Sequence, residues 1–443
     1  MIYGRPAQSP FFTRFGMGER HARLCHDEFA RTYHQPIVST HFRILCGHLI
    51  SSWHDKSFVF NDYIWNPDGS LYSDYNGKKI PSRTPLSALL GGKRRPRFCF
   101  VNSWLSTGPI VGDPWPPGDQ TPLSVSREFF HKVCPNPTVL QTSDINTEEV
   151  RFNDDIAASY IFEKWVEKIN SIDEPCLMLD PSNTPIFEYW YAVYLTWHDL
   201  LMRRGPPNRI FGNKKRMLSI WPYLSKSPAA TRWGWSPLVY DAFRRNRHLF
   251  EPTKETFLGG LFNSQEDNTS LAVPGLLAIH VRRGDFKDHC VHLGKWSSDW
   301  HAFNSFPEFN DKFDRPTDGG WGETSEANME LYIRRCYPSI EQIVDKVSQV
   351  RREAADPLRY LYIMTNGPVP WIQELKSALA QNMSWDHVGS SRDLKLTWEQ
   401  KFVAQALDMY VAQRSQVFIG NGVSALCSCR SSWTESGTIS GPV

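Results

Sequence analysis

Between Leu276 and Asp285 the chain reads Leu-Leu-Ala-Ile-His-Val-Arg-Arg-Gly-Asp. Four apolar residues, enough for a short buried strand, run straight into His280, Arg282, Arg283 and Asp285. In an open α/β sheet, ligands bind just beyond the carboxyl ends of the strands. A pair of guanidiniums at such an end suits a phosphate, because their forked donors match phosphate oxygens and they never lose charge. The plainer reading is a charged strand end with Arg283 paired to Asp285. Arg283-Gly284-Asp285 also matches an adhesion tripeptide, a string short enough to recur by chance.

Two more stretches of the second half end in the same manner. Arg359–Met364 reads as a strand that runs into Thr365-Asn366-Gly367-Pro368, and Val417–Ile419 as one that runs into Gly420-Asn421-Gly422. Glycines at 420 and 422 allow close backbone approach or positive φ. Val423-Ser424-Ala425 reads as a helix start whose amides and hydroxyl can hold an anion. In a parallel sheet the three ends share one edge, so a phosphate pocket is better supported by all three than by any one.

Positioning them requires strands alternating with helices. Apolar spacing predicts helices over Asn328–Arg352, Pro370–Ala380 and Thr397–Arg414, with a loop through His289, Lys295, Trp296 and Trp300 after the first strand. That alternation implies a parallel sheet with right-handed crossovers. In the first half, Ser57–Phe60 and Pro175–Asp180 read as strands, and His41–Trp53, Arg151–Ile169 and Ile186–Leu201 as helices. From Asn61 to about Pro117, turn residues predominate in a long excursion.

At 443 residues the chain is long enough for two or three domains. The polar stretch Asn263–Ser270 is the linker candidate, giving domains at 1–262 and 271–430 and an irregular tail at 431–443. A formal net charge of +2 carries no signature of a nucleic-acid partner, and none is expected. The basic run Lys93-Arg94-Arg95-Pro96-Arg97 reads as a solvated loop. Nine scattered cysteines form neither a disulfide-dense scaffold nor a zinc-ligand pattern, and their odd number leaves at least one outside any internal pairing. Asn268-Thr269-Ser270 and Asn382-Met383-Ser384 are glycosylation-type tripeptides. No apolar run reaches membrane-spanning length, and no signal peptide is visible in the first 30 residues.

His-Val-Arg-Arg-Gly-Asp at 280–285, with Leu407-Asp408-Met409 and then Phe-Ile-Gly-Asn-Gly-Val-Ser at 418–424, resembles the motif set of the GDP-fucose protein O-fucosyltransferases. The resemblance is good over 276–426 and thin over 55–430. It implies a GT-B-like α/β fold in which two Rossmann-like domains face a cleft, the second holding most of the donor contacts. It implies fucose transfer from GDP-fucose to a hydroxyl of a protein or glycan acceptor, inverting, with no cofactor and no metal, in the secretory pathway. Arg282 then matches the arginine that neutralises the leaving diphosphate, the one residue given a catalytic role, with His280 and Arg283 beside it. Asp285 orients the arginine, and Asp408 matches the acid that recognises guanine or its loop. Ser424 meets phosphate, and Gly420, Asn421 and Gly422 shape the turn before it. Thr365 and Asn366 stand where the family has Thr-Asp. Other readings are an inactive relative that binds nucleotide or glycan, and a transferase using another nucleotide sugar.

The termini depart from the family pattern. No glycine-rich loop precedes residue 55, and Cys427–Val443 shows no helical stripe. The strand at Val417–Ile419 is therefore expected to lack its covering helix and expose an apolar face. Residues 1–55 and 428–443 are expected to pack irregularly around an intact 276–424 core.

Overall fold

The structure, a computed structural model, describes residues 23–27, 56–60, 63–64, 72–75, 78–91, 124–145, 147, 150, 156–180, 214–225, 234–251, 272–284, 286–295, 297, 313–316 and 324–420. The helices expected over His41–Trp53 and Ile186–Leu201, the linker at Asn263–Ser270, the tail at 428–443 and most of 1–55 lie outside them. Contacts divide the chain into two units, Met1–Pro237 and Leu238–Val443.

The first unit is built on five parallel strands: β1 (Arg23–Asp27), β2 (Lys56–Phe60), β3 (Ser124–Ser126), β4 (Thr138–Gln141) and β5 (Cys176–Asp180), in the order β3-β2-β1-β5-β4. Strand β1 runs down the middle of this sheet, in a stretch to which the sequence reading assigned no element. Helix α1 (Arg127–Val133) ends at Cys134, which a disulfide joins to Cys176 of β5. Helix α2 (Ala158–Asn170), expected over 151–169, buries Ile161, Phe162, Trp165 and Ile169 at 3.6-residue spacing. Helix α3 (Lys214–Leu224) packs on it, with Tyr223 donating its hydroxyl to Glu163 at 2.8 Å. Within the long excursion, Tyr72–Tyr75 and Lys78–Pro81 pair antiparallel, as do Tyr63–Ile64 and Arg83–Thr84.

The second unit opens with α4 (Pro237–Arg245) and is organised by four parallel strands: β6 (Val273–His280), β7 (Tyr360–Met364), β8 (His387–Ser390) and β9 (Ser415–Gly420), in the order β8-β7-β6-β9. Both faces are covered, as continuous apolar strands require. On one face Leu277, Ile279, Val281, Leu361, Ile363, Val417 and Ile419 pack with Ile343, Val344 and Val347 of α7 (Ile340–Glu353) and Leu375 and Leu379 of α8 (Val369–Asn382). On the other, Tyr362 meets Phe250, and Phe243 and Tyr240 of α4 meet Tyr410 of α10 (Ala404–Arg414). Val417, Phe418 and Ile419 are buried to at least 97 %, so the expected uncovered face on the last strand is not found.

Three element expectations are corrected. The stretch after β6, read as a loop, forms α5 (Phe286–Lys295), because Phe286, Cys290 and Leu293 fall at i, i+4 and i+7 and turn inward. The long helix expected over Asn328–Arg352 is two: α6 (Glu326–Cys336) and α7. Pro338 has no amide to continue the ladder, and Ser339 starts a fresh helix through a reciprocal capping box with Gln342, at 3.2 and 2.9 Å. The helix over Thr397–Arg414 likewise divides into α9 (Trp398–Lys401) and α10, with Thr397 capping the first.

A second disulfide, Cys290–Cys336, ties α5 to α6. The two helices also approach closely at Gly294, where a Cβ would lie 2.6 Å from the Met329 sulfur. No helix among the described residues is long and apolar enough to cross a membrane.

Candidate functional site at the carboxyl edge of the second sheet

The register brings the predicted strand ends together. His280 of β6 lies level with Met364 of β7 and Gly420 of β9, so the three strands end along one edge. Past His280, the Val281 amide still donates to Met364 O at 2.9 Å, after which the backbone turns through Gly284 at φ +61°. That conformation is costly for a residue with a Cβ. A Cβ there would also press to 3.3 Å from the Asn366 amide nitrogen.

Arg282 and Arg283 part company at this turn. The Arg282 guanidinium is half-buried and rests over the Phe286 ring, 4.7 Å from its centroid. Arg283 turns inward and is 5 % exposed. Its guanidinium lies between the rings of Tyr337, at 4.1 Å, and Trp371, at 4.4 Å, and donates to the Pro338 carbonyl. A planar, weakly hydrated cation tolerates such a slot better than an ammonium does. Burial draws its pKa down, and the Tyr337 hydroxyl offsets part of that. The Arg283 Nε is buried and finds no hydrogen-bond partner among the described residues. Its place is thus in the packing that braces the turn.

His280 sits on the sheet face that carries Tyr362. Burial, with Arg282 close by, pushes its pKa down to about 3, so the imidazole is neutral at physiological pH.

Thr365 and Asn366 act through the backbone. Thr365 is buried and its hydroxyl accepts from the Gly367 amide at 3.0 Å. Asn366 Oδ1 accepts from the Arg283 amide at 2.7 Å, latching the turn after β6 to the turn after β7. An aspartate at this position would accept that bond equally well. Arg392, which the sequence reading passed over, donates to the carbonyls of Asn366 and Gly367 at 3.2 and 3.1 Å.

Asp408, on α10, accepts from Tyr362 Oη and Ser391 Oγ, each at 2.9 Å, and the Thr365 amide in turn donates to Ser391 Oγ at 3.3 Å. Burial raises the Asp408 pKa to about 7, against the lowering effect of those two hydroxyls and of Arg392. Burial and the Asp408 charge push the Tyr362 hydroxyl well above its ordinary value. Neither Ser391 nor Tyr362 carried a signal at the sequence level, because each looks like an ordinary strand or turn residue. Asp285, Asn421, Gly422 and Ser424 lie outside the described residues.

Residues 260–429 match the family model of the GDP-fucose protein O-fucosyltransferases, the family that the motifs resemble. Among solved structures, the chain is similar to POFUT1 in complex with GDP-fucose at 13 % identity, over 95 % of this chain and 97 % of that one, with a TM-score of 0.44. It is similar to POFUT1 in complex with GDP at 12 % identity, over 95 % and 98 %, TM-score 0.46. NodZ alpha-1,6-fucosyltransferase soaked with GDP-fucose matches at 9 % identity, over 94 % and 93 %, TM-score 0.32. No curated protein matches the chain by sequence.

Proposed function

We propose that this chain, whose residues 260–429 match the GDP-fucose protein O-fucosyltransferase family, transfers fucose from GDP-fucose to a hydroxyl of a protein or glycan acceptor. The observation that carries the reading is Arg282, a half-buried guanidinium on the turn where three parallel strands end, inside the matched segment. In this reading the diphosphate lies along the β6, β7 and β9 ends.

Transfer breaks the bond between the sugar C1 and the β-phosphate oxygen, and the electron pair stays on that oxygen. The acceptor hydroxyl attacks C1 from the opposite face, inverting the centre, and its proton passes to a base. Charge therefore grows on the departing diphosphate as the sugar becomes oxocarbenium-like. A fixed guanidinium aimed at that charge is a large contribution to catalysis. Arg282 supplies it, and neutral His280 adds one N–H and one lone pair rather than a second charge. Arg283, Asn366 and Arg392 hold the turns that present Arg282. The sequence offers no Asp-x-Asp pair to carry a metal on the diphosphate, so the proposed chemistry is metal-independent.

Release of GDP from GDP-fucose, followed with and without acceptor glycopeptides, tests the proposal. Turnover that persists in EDTA supports it. GDP binding with neither hydrolysis nor transfer would identify an inactive relative, and turnover restored only by manganese would favour a metal-dependent nucleotide-sugar transferase.

A further inference from the structure

Away from the strand ends, α6, α7 and the end of α8 line a groove of about 600 Å³. Arg334, Arg335, Lys346 and Arg352 face it against a single carboxylate, Asp345. None of the strand-end residues discussed above lines it. Along α7 the groove runs from Gln342 to Arg352, about 15 Å at 1.5 Å per residue, on the side opposite the buried Ile343, Val344 and Val347.

Basic residues at helix ends ordinarily complement the helix dipole, and Arg334, Arg335 and Arg352 stand in last turns. That accounts for their position along each helix but not for their convergence on one concavity. Arg351, in the same last turn as Arg352, goes elsewhere, stacking 4.2 Å from the Trp385 ring. Lys346 stands in mid-helix, where the dipole explains nothing. Arg334 and Arg352 are exposed, and neither forms an ion pair with a carboxylate among the described residues. Arg334 and Arg352, on neighbouring helices and facing one groove, repel one another unless an anion joins them.

A length of about 15 Å suits several anionic groups in series better than one phosphate. The disulfides Cys134–Cys176 and Cys290–Cys336 point to an oxidising compartment, where sulfated glycans, and not nucleic acids, are the extended polyanions. We propose that the α6–α7 groove binds a sulfated oligosaccharide, through Arg334, Arg335, Lys346 and Arg352. The proposal stands independently of the transferase reading.

The test is fluorescence anisotropy of a labelled heparin-derived octasaccharide with the full, oxidised chain across a salt series. The Arg334→Gln/Arg352→Gln double variant is expected to bind at least tenfold more weakly, with a shallower salt dependence. Both side chains are exposed, so wild-type thermal unfolding is expected. Should the pair disturb folding, single Arg352→Gln gives the same reading with a loss of about threefold, since screened surface charges contribute modestly one at a time. A Lys93→Gln/Arg94→Gln/Arg95→Gln variant should bind as wild type. Unchanged affinity in the groove variants, or a loss carried by the 93–95 variant alone, would overturn the proposal. So would tighter binding of a phosphodiester oligonucleotide of equal charge.

Discussion

Neighbouring residues on an extended strand end face opposite ways, and at Arg282 and Arg283 this alternation separates two guanidiniums that the sequence presents as a pair. Arg282→Ala should raise the barrier to turnover by roughly 3–4 kcal/mol, the scale of removing one oxyanion donor, while leaving the melting temperature within about a degree. Arg283→Ala should do the reverse. It empties the slot between Tyr337 and Trp371 and frees the Pro338 carbonyl, for a stability loss of roughly 2–4 kcal/mol. Equal kinetic losses at equal stability would show that the two share one role. His280 offers a separate test, because its pKa near 3 keeps the ring neutral through the physiological range. The folded value lies below the unfolded one near 6.5, so the native state loses stability from this group as pH falls below about 6.5. Ring carbon shifts of His280 should stay flat down to about pH 4 in the free protein and titrate at higher pH with GDP bound, since a nearby anion favours imidazolium. A midpoint near 6.5 without ligand would contradict the burial argument. The sequence marked the residue types here but not their directions, which are set by rings far along the chain at Tyr337 and Trp371.

The turns are joined by a network through Asp408, which links β7, the turn after β8 and α10. Its pKa near 7 is raised above the unfolded carboxylate value, so the folded state holds more protons between about pH 4 and 7. The Asp408 contribution therefore favours folding below that window and is lost as pH rises through it. Asp408→Asn should remove this dependence: the difference in stability between wild type and variant should change by a few kcal/mol from pH 4 to 7, then level off. A difference independent of pH would mean the carboxyl ionises normally. At the α5–α6 pair, Cys290→Ser with Cys336→Ser should cost about 2–4 kcal/mol, read as a lower denaturant midpoint with a steeper slope, because the uncrosslinked chain unfolds to a more expanded state. What the sequence disclosed of these elements follows their patterning. Strands β6, β7 and β9 were legible because each is an apolar run ending in polar residues. Strand β8, His387-Val388-Gly389-Ser390, holds a single large apolar residue and gave no such signal. Helix α5 was hidden by His289, His292 and Lys295 on its outer side, and Pro338 was wrongly allowed inside a helix.

Each unit carries its own parallel sheet, and in the first β1 was hidden because its five residues are mostly polar. Parallel sheets concentrate chain turns at their carboxyl edges, and this is why residues from β6, β7 and β9, far apart in sequence, emerge along one line. If that edge neutralises the diphosphate with Arg282 and backbone amides, turnover should be unchanged by chelation. The most direct measurement is a crystal structure of the full chain with GDP. The diphosphate should lie within hydrogen-bond reach of the Arg282 guanidinium, beside His280 and the end of β9 at Gly420, with Arg283 still stacked between Tyr337 and Trp371. GDP bound at the edge of the first sheet, or a diphosphate held by Arg283 swung out of its slot, would contradict the account.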